Sequence, residues 1–193
     1  LVEMTTAGLD ADTNVEKSIG YISSAATGTY STGLDGFRLF KSTSDVYSLQ
    51  VWRNGTNIID VPRSSWTDKL DGTGESGMTI NWANFNVFFF DFLYLGGTAL
   101  RVSVMYNGEP RPVVTHYYAN TDTEPIFLSP NKPIRYEIRS TTGTGDMDFI
   151  CAMVASEGGF EKKGTTITVS APNAGITPLA TGTTYALCGV RKA

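Results

Sequence analysis

Gly72-Thr73-Gly74-Glu75-Ser76-Gly77 satisfies G-x-G-x-x-G, the spacing with which a tight turn brings backbone amides up to a pyrophosphate. That chemistry needs a strand before the glycines and a helix after them, so that the phosphate meets a helix N-terminus. Here a β-rich run follows, and Glu75 would repel the anion, so the segment is expected to be an architectural turn. Asp68, Asp71 and Glu75 offer carboxylate oxygens of the kind a calcium ion collects. Their spacing departs from the calcium-binding loop, which needs ligands at alternating early positions, and a solvated turn is the expectation. No metal and no cofactor is expected.

His116 is the only histidine. It lies in a strand-like run beside Tyr117 and Tyr118, without a G-x-S-x-G or other nucleophile context, so a structural role is expected rather than Ser/His/Asp catalysis. Asp91 sits inside VFFFDFLYL, the most apolar run of the chain. A carboxylate there must face solvent, pair with a cation or accept several hydrogen bonds. Arg101 and Arg135 on neighbouring strands are its candidate partners, and a structural ion pair is expected. Trp52, Trp66, Trp82, Tyr117 and Tyr118 offer rings for stacking on sugars, and equally for a core or a subunit interface.

These residues must be positioned by strands. VFFFDFLYL is too short to span a bilayer as a helix, and its aromatic density between glycines predicts a buried central strand. In LRVSVMY, Val102, Val104 and Tyr106 alternate with Arg101, Ser103 and Met105. Asn107-Gly108 and Asn54-Gly55 each predict a two-residue hairpin turn, whose central positions need φ > 0. The second joins Tyr47–Trp52 to Thr56–Val61, and Pro62 ends that hairpin because it lacks a ladder donor. Further strands are expected at Gly36–Phe40, Val113–Tyr118, Phe149–Ser156, Thr165–Ser170 and Tyr185–Val190, with a short one at Ile126–Leu128. Ile134, Tyr136 and Ile138 alternate with Arg135, Glu137 and Arg139, the period of a half-buried strand. A loop is expected over Ala171–Gly182.

No ten-residue window has a helical period, and ten to twelve regularly spaced strands point to an all-β, two-sheet, jelly-roll-like sandwich. Residues 1–33 are polar and rich in Thr, Ser and Gly. They are expected to form an arm or edge strands, with the sandwich domain over 34–193. Of 193 residues, 41% are hydrophobic and 18% charged, ample for a core. A net charge of -4 and a pI near 5.0 give no general attraction to nucleic acid, and no membrane segment is expected. Cys151 and Cys188, the only cysteines, lie in apolar runs, which predicts buried free thiols in a chain made in a reducing cytoplasm.

Taken in order, SWTDKLDGTGESG, VFFFDFLYLGG followed by LRVSVMYNG, His116, SPNKPIRYEI and FICAMVASEGG resemble a family of tailed-bacteriophage virion structural proteins. The likeness covers roughly Phe37 to Gly159. Tyr94 stands where that family usually has Trp, Thr98-Ala99-Leu100 replaces a tighter glycine turn, and Lys132 replaces an apolar residue. The resemblance implies no catalytic residues. It implies a part in particle architecture, as a tail, fibre or head-decoration component built from copies of the chain and other virion proteins and assembled in the host cytoplasm.

The sequence therefore reads as a non-enzymatic assembly protein. Trp66, Asp68, Asp71, Gly72, Gly74, Gly77, Asp91, Arg101, Arg135 and Glu137 are its structural residues, and residues 1–33 are expected to reach a neighbouring copy. The alternative is a carbohydrate-binding module that attaches the particle to a host surface glycan. A glycan-cleaving enzyme with paired carboxylates in a cleft comes third.

Overall fold

The computed structural model describes residues 1–25, 34–93, 99–140 and 142–156. The expected strands Thr165–Ser170 and Tyr185–Val190, the loop between them, Cys188 and the stretch 94–98 lie outside these. By its internal contacts the chain forms one unit over Leu1–Glu157 and a second over Gly158–Ala193, and all the described residues belong to the first.

Among the described residues there are ten strands and no α-helix: β1 (Val2–Ala7), β2 (Val15–Ser23), β3 (Asp35–Lys41), β4 (Tyr47–Arg53), β5 (Thr56–Pro62), β6 (Asn86–Phe92), β7 (Ala99–Tyr106), β8 (Glu109–Tyr117), β9 (Ile134–Ser140) and β10 (Asp148–Val154). They form two antiparallel five-stranded sheets, ordered β10-β1-β6-β7-β8 and β5-β4-β3-β2-β9. Each is built on a meander, β6–β8 in one and β2–β5 in the other. Successive strands change sheet only at β1/β2, β5/β6, β8/β9 and β9/β10, whereas the strands of a jelly roll form two Greek keys.

Local sequence accounts for the turns. Asn54 and Gly55 have φ of 47° and 80°, and Asn107 and Gly108 have 53° and 82°, the left-handed pairs that two-residue hairpins require. Period-two alternation then decides what is buried. Phe37 and Leu39 on β3, Leu49 and Val51 on β4, Phe88 and Phe90 on β6 and Val102 and Val104 on β7 are at most 1% exposed and meet between the sheets. The Phe37 ring contacts Phe90 and Phe92 at centroid distances of 5.4 and 5.1 Å, which joins the two sheets.

The N-terminal residues are not an arm. β1 lies between β10 and β6, and β2 lies between β3 and β9, so both are inner strands of their own subunit. Val2, Met4, Val15 and Ile19 are fully buried. The physical reason is parity: inward apolar residues spaced two apart among Thr, Glu and Ser suffice to seat a strand on the core. Ile126–Leu128 forms no strand either. Ile126 and Phe127 are buried from a bend-rich loop, with Phe127 6.0 Å from Phe37 and 5.7 Å from Phe92.

Candidate functional site

Residues 63–85 run from β5 to β6, across from one sheet to the other, and hold most of the residues singled out by the sequence. A single 3-10 turn, Arg63–Ser65, follows Pro62. Trp66 then turns inward, 3% exposed, and its Nε1 donates to Val61 O at 2.9 Å. Two residues on, the backbone amide of Asp68 donates to Val113 O of β8 at 3.1 Å. The segment is thereby fastened to both sheets.

Asp68 is the centre of this loop. Its side chain is buried, yet it accepts from Leu70 N at 3.0 Å, from Ser76 N at 3.3 Å and from the Ser76 hydroxyl. These donors fold residues 70–77 around the carboxylate, which solves the cost of burying a charge. Gly72 and Gly77 occupy left-handed backbone at φ of 84° and 67°. Gly74 is required for a different reason: a Cβ there would lie 2.7 Å from Asp68 Cγ and 2.8 Å from each carboxylate oxygen. Asp71 is exposed and closes a local turn, accepting from Thr73 N at 3.0 Å and Thr73 Oγ1 at 2.5 Å. The Thr73 hydroxyl and amide hold its carboxyl below the usual carboxylate range. The glycine motif is thus a loop closed on a carboxylate, with no helix following it. Among the described residues no group of three His, Cys, Asp or Glu side chains is placed to hold a metal ion.

The ion pair of Asp91 is on the surface. Asp91 and Arg101 lie directly opposite on β6 and β7, with Oδ2 and Nη1 3.7 Å apart and side chains 44% and 48% exposed. Phe88, Phe90 and Phe92 take the inward positions of β6, which leaves Asp91 on the outer face. Arg135 is in the other sheet and does not meet Asp91. It pairs with Glu137, Nη2 to Oε2 at 3.6 Å. Burial raises the Glu137 carboxyl above its ordinary range, opposed by Arg135 and Arg38.

The outer face of that second sheet carries a polar row that no sequence pattern announced. Register places Asp60, Gln50, Arg38, Gly20 and Arg135 side by side across the five strands. Arg38 Nε donates to Gln50 Oε1 at 2.9 Å, and Gln50 Nε2 donates to Asp60 Oδ2 at 3.1 Å. The Arg38 guanidinium lies 4.3 Å from the Phe40 ring centre and 5.5 Å from that of Trp52, a cation held between two aromatic side chains.

Two buried charge clusters sit at opposite ends of β3. At its start, Asp35 pairs with Lys132, with both side chains under 10% exposed, and accepts from Leu128 N at 3.1 Å. This ties the loop before β9 to the sheet. At its end, Lys41 faces Lys17 of β2 in direct register, both 1% exposed. Lys17 Nζ reaches Gly8 O at 2.5 Å and Asp12 Oδ2 at 2.5 Å, while Lys41 Nζ reaches Val15 O at 3.0 Å and Asp45 Oδ1 at 2.6 Å. A legible signal existed: Lys17 shares parity with Val15, Ile19 and Tyr21, and Lys41 with Phe37 and Leu39.

The aromatic side chains are mostly core. Trp66, Trp82 and Tyr118 are at most 9% exposed; Trp52 is half-buried and Tyr117 is exposed. An open groove of about 510 Å³ is lined by Asp10, Asp45, Arg63 and Asn81 above Tyr47 and Trp82. The Trp82 ring stacks on Tyr47 at 4.2 Å, lies 6.0 Å from Phe88 and is 9% exposed, so it offers little surface to a sugar. His116 packs against Tyr118 at 4.9 Å, and burial lowers its pKa. Cys151 is exposed on β10, contrary to the buried thiol expected: none of the seven side chains of that strand is buried. Comparison of the chain with family models, with characterised proteins and with solved structures returns no match.

Proposed function

We propose that this chain is a non-enzymatic structural component of a tailed-bacteriophage virion, acting through assembly with copies of itself and with other virion proteins. The ordered motifs from Ser65 to Gly159 support it by resemblance. The observation that carries the reading is the Asp68 loop. Its buried carboxylate, the residue of the motif best suited to chemistry, is engaged by three donors from its own loop and fixes the crossing between the sheets. A motif spent on holding a crossing rigid suits a part whose task is shape.

The test is the location of the chain in particles. Purified virions, dissolved and quantified by mass spectrometry, should contain it in a fixed ratio to the major head or tail protein. A chain abundant in the infected-cell lysate yet missing from banded particles refutes the proposal.

A further inference from the structure

Sheet edges attract other strands, because each offers a row of backbone N–H and C=O groups without partners. Among the described residues the two sheets have four outer strands: β5, β9, β8 and β10. Three of them are guarded. β8 begins Glu-Pro-Arg-Pro, with Pro110 and Pro112 removing donors, and its pairing with β7 is broken by a bulge. β9 carries Arg135, Glu137 and Arg139 at every second position. β5 carries Asp60, ends in Pro62 and is bulged against β4. β10 has no proline and no charge after its first position: it reads DFICAMV, with Asp148 at the start. Its one irregularity is a bulge near Ile150, after which Cys151 to Val154 stay in regular register with β1.

All seven residues of β10 are exposed, including Phe149 at 71%, Ile150 at 49%, Met153 at 48% and Val154 at 50%. We propose that β10 is an assembly edge, pairing antiparallel with β10 of a second copy about a two-fold axis. Three observations select a second copy as the occupant. The strand is self-complementary in charge, since antiparallel overlap sets Asp148 of one copy near the apolar end of the other rather than against a second carboxylate. The four large side chains expose on the order of 400 Å² per copy, so about 800 Å² is the most a symmetric pair could draw from them, with the paired backbone added, against the roughly 1,000 Å² of a specific interface. A two-fold contact also closes, occupying both unguarded edges at once and leaving none for open-ended fibre growth. The proposal deepens the assembly reading above, but it stands on the strand edges themselves.

The experiment uses the full chain. Sedimentation equilibrium should show the mass rising from one chain to two with concentration, and hydrogen–deuterium exchange should show the amides of residues 149–154 gaining protection in step with it. Ile150→Lys and, separately, Met153→Lys place a guard on the edge at half-exposed positions. Each should raise the dissociation constant at least tenfold while the unfolding midpoint of the monomer, measured at concentrations below that constant, is unchanged. A chain that stays monomeric overturns the proposal. So does protection of β10 that is independent of concentration, which would assign the edge to the chain's own residues 158–193, and so does a dimer that survives both substitutions. Absence of the chain from purified particles would instead end the virion assignment and leave β10 pairing intact.

Discussion

Replacing Gly74 by alanine should destabilise the fold through one named collision. The added methyl would stand 2.7 Å from Asp68 Cγ and 2.8 Å from both carboxylate oxygens, closer than carbon tolerates. The carboxylate has no free direction of retreat, because it is 3% exposed and bonded to Leu70 N, Ser76 N and the Ser76 hydroxyl. Moving it breaks at least one hydrogen bond to a charged group, worth about 1.5–3 kcal/mol, and leaves a buried donor unpaired. A loss of about 3 kcal/mol is therefore expected for Gly74→Ala, and more for Gly74→Val. Gly77→Ala is the control: nothing lies within 4 Å of its Cβ, so only its φ of 67° resists, at about 1–2 kcal/mol. Urea unfolding followed by tryptophan fluorescence reads all three. The decisive arm is a double-mutant cycle. In an Asp68→Ala background the obstacle is gone, and Gly74→Ala should cost under about 1 kcal/mol. Equal cost in both backgrounds would refute the collision.

Other perturbations separate buried from exposed charge. Asp35→Ala leaves the Lys132 ammonium buried without its carboxylate and should cost about 3–5 kcal/mol in denaturant titration, much of it recovered when Lys132→Met is added. Asp91→Ala should cost less than about 1 kcal/mol by the same assay, because its pair with Arg101 is half-exposed and screened; a loss above about 3 kcal/mol would contradict the surface placement. His116 gives a pH signature. Burial holds its folded pKa below the unfolded value, so the folded chain resists a proton that the unfolded chain accepts. That difference contributes nothing above the unfolded pKa and costs stability as pH falls through it, from about 7.5 to 5.5. His116→Gln should remove that part of the slope in unfolding midpoint against pH, and an unchanged slope would show the ring is not held in this way.

Sequence alone determined the features set by a few adjacent residues. Asn54-Gly55 and Asn107-Gly108 announced hairpins because left-handed backbone is a property of those two residues, wherever the strands go. Period two likewise announced β3, β7 and β9, and the aromatic density of VFFFDFLYL placed β6 inside a sheet. The loop at Gly72–Gly77 was legible as a turn, and the left-handed glycines at 72 and 77 fit that reading. Glycine at 74 was singled out with them, but its reason was not legible: it has no positive φ, and the obstacle is the side chain of Asp68, brought back onto it by the fold of the loop.

Tertiary structure decided everything that depends on which strands become neighbours. Residues 1–33 read as an arm or edge strands because their apolar residues are sparse, yet in the described part, 1–25, long-range pairing with β6, β10, β3 and β9 makes β1 and β2 inner strands. Cys151 looked buried because its neighbours are apolar, and proved exposed because no side chain of β10 packs into the core. Asp91 and Lys17 are both charged residues within strands, but opposite parities send the first to solvent and the second into the interior, where Asp10, Asp12 and the Gly8 carbonyl meet it. A residue's φ preference acts within the turn that contains it. Burial and charge pairing are set by the face a strand presents and by the strand that lies beside it, and in this fold those neighbours come from up to about 150 residues along the chain, as β1 and β10 do.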